Sequence, residues 1–119
     1  MLDTVKLIVK GRGEGKTQAL VEQYIDVVEM GYTNNIFVGS YNMYGHFCRT
    51  YESIMNQRCP IRYSPYIPET KFWSEDHLNI FMDELTKSLS ILLANAPEID
   101  IVRWDKVNWY ITIDKSYIE

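Results

Sequence analysis

At 119 residues, 46% of them hydrophobic, the chain is expected to form one compact domain over 1–119, burying roughly two-thirds of its unfolded surface and leaving no room for a second catalytic domain. A formal net charge of −4 argues against a surface built to follow a nucleic-acid backbone, because such binding draws on clustered Lys and Arg. Cys48 and Cys59 lack the second pair that a metal-ligand spacing needs, no apolar run approaches the ~18 residues of a membrane span, and "MLDTVKLIVKG" lacks the apolar core of a signal peptide, so a cytoplasmic protein with reduced, core or half-buried thiols is expected.

Along the chain the hydrophobic period alternates between strand-like and helix-like, the pattern of an α/β fold with a mostly parallel central sheet. "VKLIV", residues 5–9, is apolar enough for a strand covered on both faces, and it stops at Gly11. A helix is expected from 15 or 16 to 30, with Leu20, Tyr24, Val27 and Val28 at three- and four-residue steps and Gly31 as a left-handed cap. "NIFVGSY", 35–41, reads as a second short strand. Asn42 is then a cap for a helix with Met43, Phe47, Tyr51 and Ile54 on one face.

Residues 58–77 carry three prolines in nine residues and no clean period, which reads as a functional loop or lid with a short strand at 61–63. "HLNIFMDEL" follows as an apolar strand ending in Asp83 and Glu84, then a helical stripe of Leu85, Leu89, Leu92 and Ala96 that Pro97 closes. A last strand is expected at 109–113, while 98–104 fits either a strand or a short helix. His46 reads as a helix-surface residue and His77 as a loop residue. The three tryptophans and nine tyrosines read as packing rather than as base-stacking platforms, given the acidic balance.

The chemistry concentrates at "VKLIVKGRGEGKTQALVEQY". A loop leaving a strand and entering a helix aims several backbone N–H groups and the positive helix end at one spot, where a polyphosphate fits. Gly11, Gly13 and Gly15 let the backbone curl around the anion. Lys16 reaches the β- and γ-phosphates, and the Thr17 hydroxyl can ligate Mg²⁺. The strict G-x-x-x-x-G-K-[ST] pattern fails by one residue, since Lys10 stands where its first glycine belongs. The strand before, the helix after and the downstream Asp83–Glu84 pair offset that failure. Two plainer readings stand beside this one: the glycines as a tight connection only, and Asp83–Glu84 as the cap of a following helix.

"KGRGEGKT" resembles the G-[GA]-R-G-x-G-K-[ST] phosphate loop of the large terminase subunits and DNA-packaging ATPases of tailed bacteriophages, and "NIFMDEL" resembles their Walker B segment. "NIFVGSYNMYGHF" is similar to the strand and turn that follow the first helix in those motors. The resemblance covers residues 5–85, and related helicase-like ATPases share much of it. It implies a three-layer P-loop NTPase-like domain with ATP and Mg²⁺ as cofactors, in the host cytoplasm. It also implies a loop site formed by Gly11, Arg12, Gly13, Glu14, Gly15, Lys16, Thr17 and Gln18. By the same resemblance Thr17 and Asp83 serve the metal, Asp83 through water. Glu84 polarises the attacking water, and Arg12 contacts the γ-phosphate.

An arginine supplied in cis can stabilise charge developing on the γ-phosphoryl oxygens, which agrees with that role, while a solvated loop charge is the plainer reading of Arg12. A neighbouring subunit is the other source of such a cation, with Arg49, Arg58, Arg62 and Arg103 as candidates. The nuclease domain of the terminases has no counterpart in this sequence. Two functions are consistent with these residues. One is a Mg²⁺-dependent ATPase acting as a homo-oligomer or with a viral or host protein partner, favoured by Glu84 together with Lys16 and Thr17. The other is a small phage accessory or inhibitor protein that uses the fold as an interaction scaffold with weak or no ATPase activity, favoured by the small size and by Lys10.

Overall fold

The computed structural model describes residues 4–64, 77–84 and 106–117. Its elements are β1 (Thr4–Lys10), α1 (Lys16–Glu29), β2 (Asn35–Val38), α2 (Tyr41–Met55), β3 (Arg62–Ser64), β4 (His77–Met82), β5 (Lys106–Asp114) and a 3₁₀ turn at Lys115–Tyr117. The five strands make one sheet in the order β1-β5-β4-β2-β3, and every pairing is parallel. The α/β architecture expected from the alternating period is therefore present. The expected helix at 85–96, residues 98–104, Trp73 and Trp104 lie outside the described residues.

Both helices pack on one face of the sheet. Leu20, Val21, Tyr24 and Val27 of α1 and Phe47 and Tyr51 of α2 bury against Phe37 of β2 and Phe81 of β4. This layer is rich in aromatic rings: Tyr24 meets Phe81 edge-on at 5.4 Å between ring centroids, and Phe81 stacks on Tyr110 at 4.8 Å. Tyr24, Tyr51 and Tyr110 thus serve packing, as the composition suggested, whereas Tyr32, Tyr41 and Tyr117 are exposed. Cys59 joins the same core, and burial pushes its thiol up to about 12, so it stays protonated and unreactive. The opposite face is aliphatic, with Ile36, Val38, Leu78, Ile80, Met82, Val107 and Ile111 buried and Trp109 against them.

Local chemistry sets the element ends. α1 ends as the glycine predicts: Gly31 adopts φ +92°, its N–H bonds the Val28 carbonyl, and the Tyr32 N–H reaches back to Val27. α2 begins two residues earlier than expected. Ser40, not Asn42, is the cap, because it has extended backbone and its hydroxyl accepts from the Met43 N–H at 3.1 Å. Asn42 lies inside the helix, and Ile54 faces solvent rather than the core. The short strand expected at 61–63 forms one residue later, and His77 opens β4 instead of lying in a loop.

β1 is the clearest departure from expectation. It lies at the sheet edge with β5 as its neighbour, and Val5, Leu7 and Val9 are 61%, 46% and 37% exposed. Side chains alternate along a strand, so Ile8 and Lys6 turn to the helix face, where Lys6 bonds Gln23 of α1, while the three outward residues share the other face. An apolar run shows that a strand forms; it does not say whether that strand is central.

On the helix face, β4 and β5 carry three successive layers. Asn79 and Asn108 lie at the amino end, Phe81 and Tyr110 in the middle, and Asp83 and Thr112 at the carboxyl end. The asparagines form a ladder across three strands: Asn108 donates to Asn79 at 2.9 Å, and Asn79 donates to Asn35 at 3.0 Å, each pair in direct register. A one-residue slip of any strand would leave buried amides unpaired, so the ladder holds the register.

Candidate phosphate site at the carboxyl end of the sheet

The loop between β1 and α1 is a glycine-shaped turn. The Glu14 N–H bonds the Gly11 carbonyl, and Gly13 and Gly15 adopt φ +77° and +81°, where a side chain would be strained. Gly15 is the N-cap residue of α1, and no side chain caps the helix there, in contrast to Ser40 at α2. The first turn of α1 therefore presents its N–H groups without a built-in side-chain acceptor, which suits an anion.

Two carboxylates from neighbouring strands meet the two residues that open α1. The Thr17 hydroxyl donates to Asp83 Oδ2 at 2.6 Å, bringing together residues 66 apart in sequence. Lys16 Nζ donates to Asp114 Oδ2 at 3.3 Å, an ion pair whose side chains are 12% and 26% exposed. Asp83 is only 2% exposed, and its second oxygen accepts from the Thr112 hydroxyl. Thr112 Oγ1 in turn accepts from the Glu84 N–H at 2.8 Å. Hydrogen bonds from the backbone and side chain of Ser116, with smaller help from Lys16, hold the Asp114 carboxyl below the usual aspartate range.

Glu84 has left-handed backbone, φ +52°, which is uncommon for a residue with a Cβ. Non-glycine residues held in this region concentrate at functional sites, where surrounding contacts fix them. Here the Thr112 hydroxyl is one such contact.

These groups line a cleft of about 550 Å³. One wall is Arg12, Gly13, Gly15, Lys16, Thr17 and Gln18; the floor is Asp83 and Glu84; and the other wall is Asn42, Met43, His46 and Thr50 of α2. Of the loop residues singled out from sequence, Gly11 and Glu14 fall outside the cleft, with the Glu14 side chain folded back over Gly11. Arg12 lines it, exposed and without a hydrogen-bond or ion-pair partner among the described residues. Arg49, Arg58 and Arg62 are all solvent-exposed. Sequence reasoning missed Thr112, Asp114 and the α2 wall. The available signal was polar residues two apart at the end of an apolar strand, "YITID", since parallel sheets bind ligands beyond the carboxyl ends of their strands.

No set of three or more His, Cys, Asp or Glu residues that could cage a metal occurs among the described residues, and no helix there is long and apolar enough to cross a membrane. The chain matches no protein-family model, no curated protein and no solved structure. Function is therefore read from the geometry of the cleft.

Proposed function

We propose that the chain is a three-layer P-loop NTPase-like protein that binds ATP with Mg²⁺ in this cleft and hydrolyses it, in the manner of the DNA-packaging and helicase-like ATPases. One observation carries this reading: the 2.6 Å bond between Thr17 and Asp83, which joins the residue after the loop lysine to the acid at the end of a separate apolar strand. A tight connection or a helix cap gives no reason for those two residues to meet.

The donor set suits Mg²⁺, which takes a hydroxyl and one or two carboxylates together with substrate phosphates and waters, rather than an all-protein cage. Thr17 and Asp83 would hold it, and the chemistry it supplies when bound is neutralisation of charge on the transferring phosphoryl group. Lys16 exchanges Asp114 for the β- and γ-phosphate oxygens. The loop N–H groups and the uncapped start of α1 bind the phosphate chain. Glu84, held by Thr112 beside Asp83, orients and polarises the attacking water, and Arg12 meets the γ-phosphoryl oxygens in cis.

Phosphate release from Mg·ATP by the purified protein tests the chemistry. Glu84→Gln keeps the size of the side chain but removes the carboxylate, so it is expected to bind nucleotide normally while release falls by ~10²-fold or more. Equal release by the parent and the variant would remove Glu84 from the mechanism.

A further inference from the structure

α2 presents two neighbouring stripes. Met43, Phe47 and Tyr51 turn toward the sheet and α1, whereas Asn42, His46 and Thr50, each one position earlier, repeat at four-residue steps along the adjacent face. That second stripe is the wall of the cleft opposite the glycine loop. Thr50 spends its hydroxyl proton on the His46 carbonyl at 2.8 Å. The side chains of Asn42 and His46 have no partner among the described residues, although both border the cleft in which Lys16, Thr17, Asp83 and the Glu84 backbone are each hydrogen-bonded.

The position of this wall fixes what it faces. In the reading proposed above, Lys16 and Thr17 mark the β- and γ-phosphates, and Asp83 and Glu84 mark the side on which the terminal phosphoryl group and its attacking water lie. Asn42 and His46 line the same cleft as these four residues. We propose that they are the far-side donors to the terminal phosphoryl group, the Asn42 amide and a His46 ring N–H each giving a hydrogen bond to a γ-oxygen. The cleft then distinguishes a nucleoside triphosphate from a diphosphate by contacts that only the triphosphate reaches. The proposal rests on the phosphate reading of the loop, and it adds two residues for which the Walker-type motifs have no place.

The test is a calorimetric comparison of ADP and the non-hydrolysable analogue adenylyl-imidodiphosphate, both with Mg²⁺, on the parent protein, Asn42→Ala, His46→Ala, His46→Gln and Lys16→Ala. Both α2 residues are exposed, so their replacement leaves the core intact. Loss of one hydrogen bond to a charged oxygen is expected to weaken the triphosphate analogue about tenfold or more in each alanine variant, with ADP affinity changed less than about twofold. His46→Gln keeps an N–H donor and should recover most of the loss. Unchanged affinities in both α2 variants, or equal losses for the two nucleotides, would overturn the proposal. If Lys16→Ala abolishes binding while the α2 variants behave as the parent, this inference alone fails; if the parent binds neither nucleotide, the phosphate reading fails with it.

Discussion

The same face of β4 and β5 carries two polar layers, and they are built from different chemistry. At the amino end, Asn35, Asn79 and Asn108 form a neutral ladder of amides in strict register. Four residues further along each strand, ~13 Å at strand rise, Asp83 and Thr112 hold Thr17 and the Glu84 backbone, and two residues beyond Thr112 Asp114 holds Lys16. The stacked rings of Phe81 and Tyr110 separate the two layers. The amides bond one another, and the ladder ends where Asn35 donates to the Tyr32 carbonyl at 2.9 Å, which is how buried polar groups serve structure. The acids and hydroxyls instead gather on the loop between β1 and α1, beside an open cleft, with a glutamate in left-handed backbone. The first layer specifies the sheet; in the function proposed above, the second exchanges partners when nucleotide binds.

Substitutions in the two layers should therefore separate stability from binding. Asp83→Asn removes the carboxylate proposed to serve the metal, and Mg·ATP affinity is expected to fall about 10- to 100-fold with denaturant stability little changed. Asn79→Ala leaves the Asn35 and Asn108 amides without their shared partner, and it should cost roughly 2–4 kcal/mol in urea unfolding while the folded variant binds nucleotide as the parent does. Calorimetry and urea melts on both variants check the pair. Comparable losses of both properties in each variant would mean that the layers are one unit.

The smallest effect belongs to Asp114. Its pKa is lower folded than unfolded, so its contribution is present above the unfolded value, near 3.8, and is lost as pH falls from there through the lower folded value. Parent protein should lose stability over that interval relative to Asp114→Asn. The difference is small because the carboxyl lies near solvent, where screening weakens such pairs. Identical acid profiles would detach Asp114 from the network.

How much of this was legible in the sequence depends on whether the cause was local. The glycine loop, the start of α1, the Gly31 stop and the acids closing "NIFMDE" are each decided within a few neighbouring residues, and they were readable. Ser40 and Asn42 are both good cap residues two positions apart, and only the extended backbone after Gly39 chooses between them. Strand order is not local at all. The apolar run of β1 reads the same at an edge as in the middle, and that misplaced Val5, Leu7 and Val9. Thr112, Asp114 and the amide ladder become a network only when parallel register sets β5 beside β4. His46, read as a plain surface residue, gains its place from the cleft across which it faces.

The most direct test of the central claim is thermal unfolding of the parent and Lys16→Ala with and without Mg·ATP. Ligand that binds only the native state stabilises it by RT ln(1 + [L]/Kd), ~2.7 kcal/mol at a hundredfold excess over Kd. The parent is therefore expected to melt several degrees higher with Mg·ATP. Lys16→Ala should melt close to the parent in the absence of nucleotide, since its ion pair with Asp114 is partly exposed, and should show no rise with nucleotide. An equal rise in both proteins, or none in either, would contradict a phosphate site at this loop and favour a fold used as an interaction scaffold.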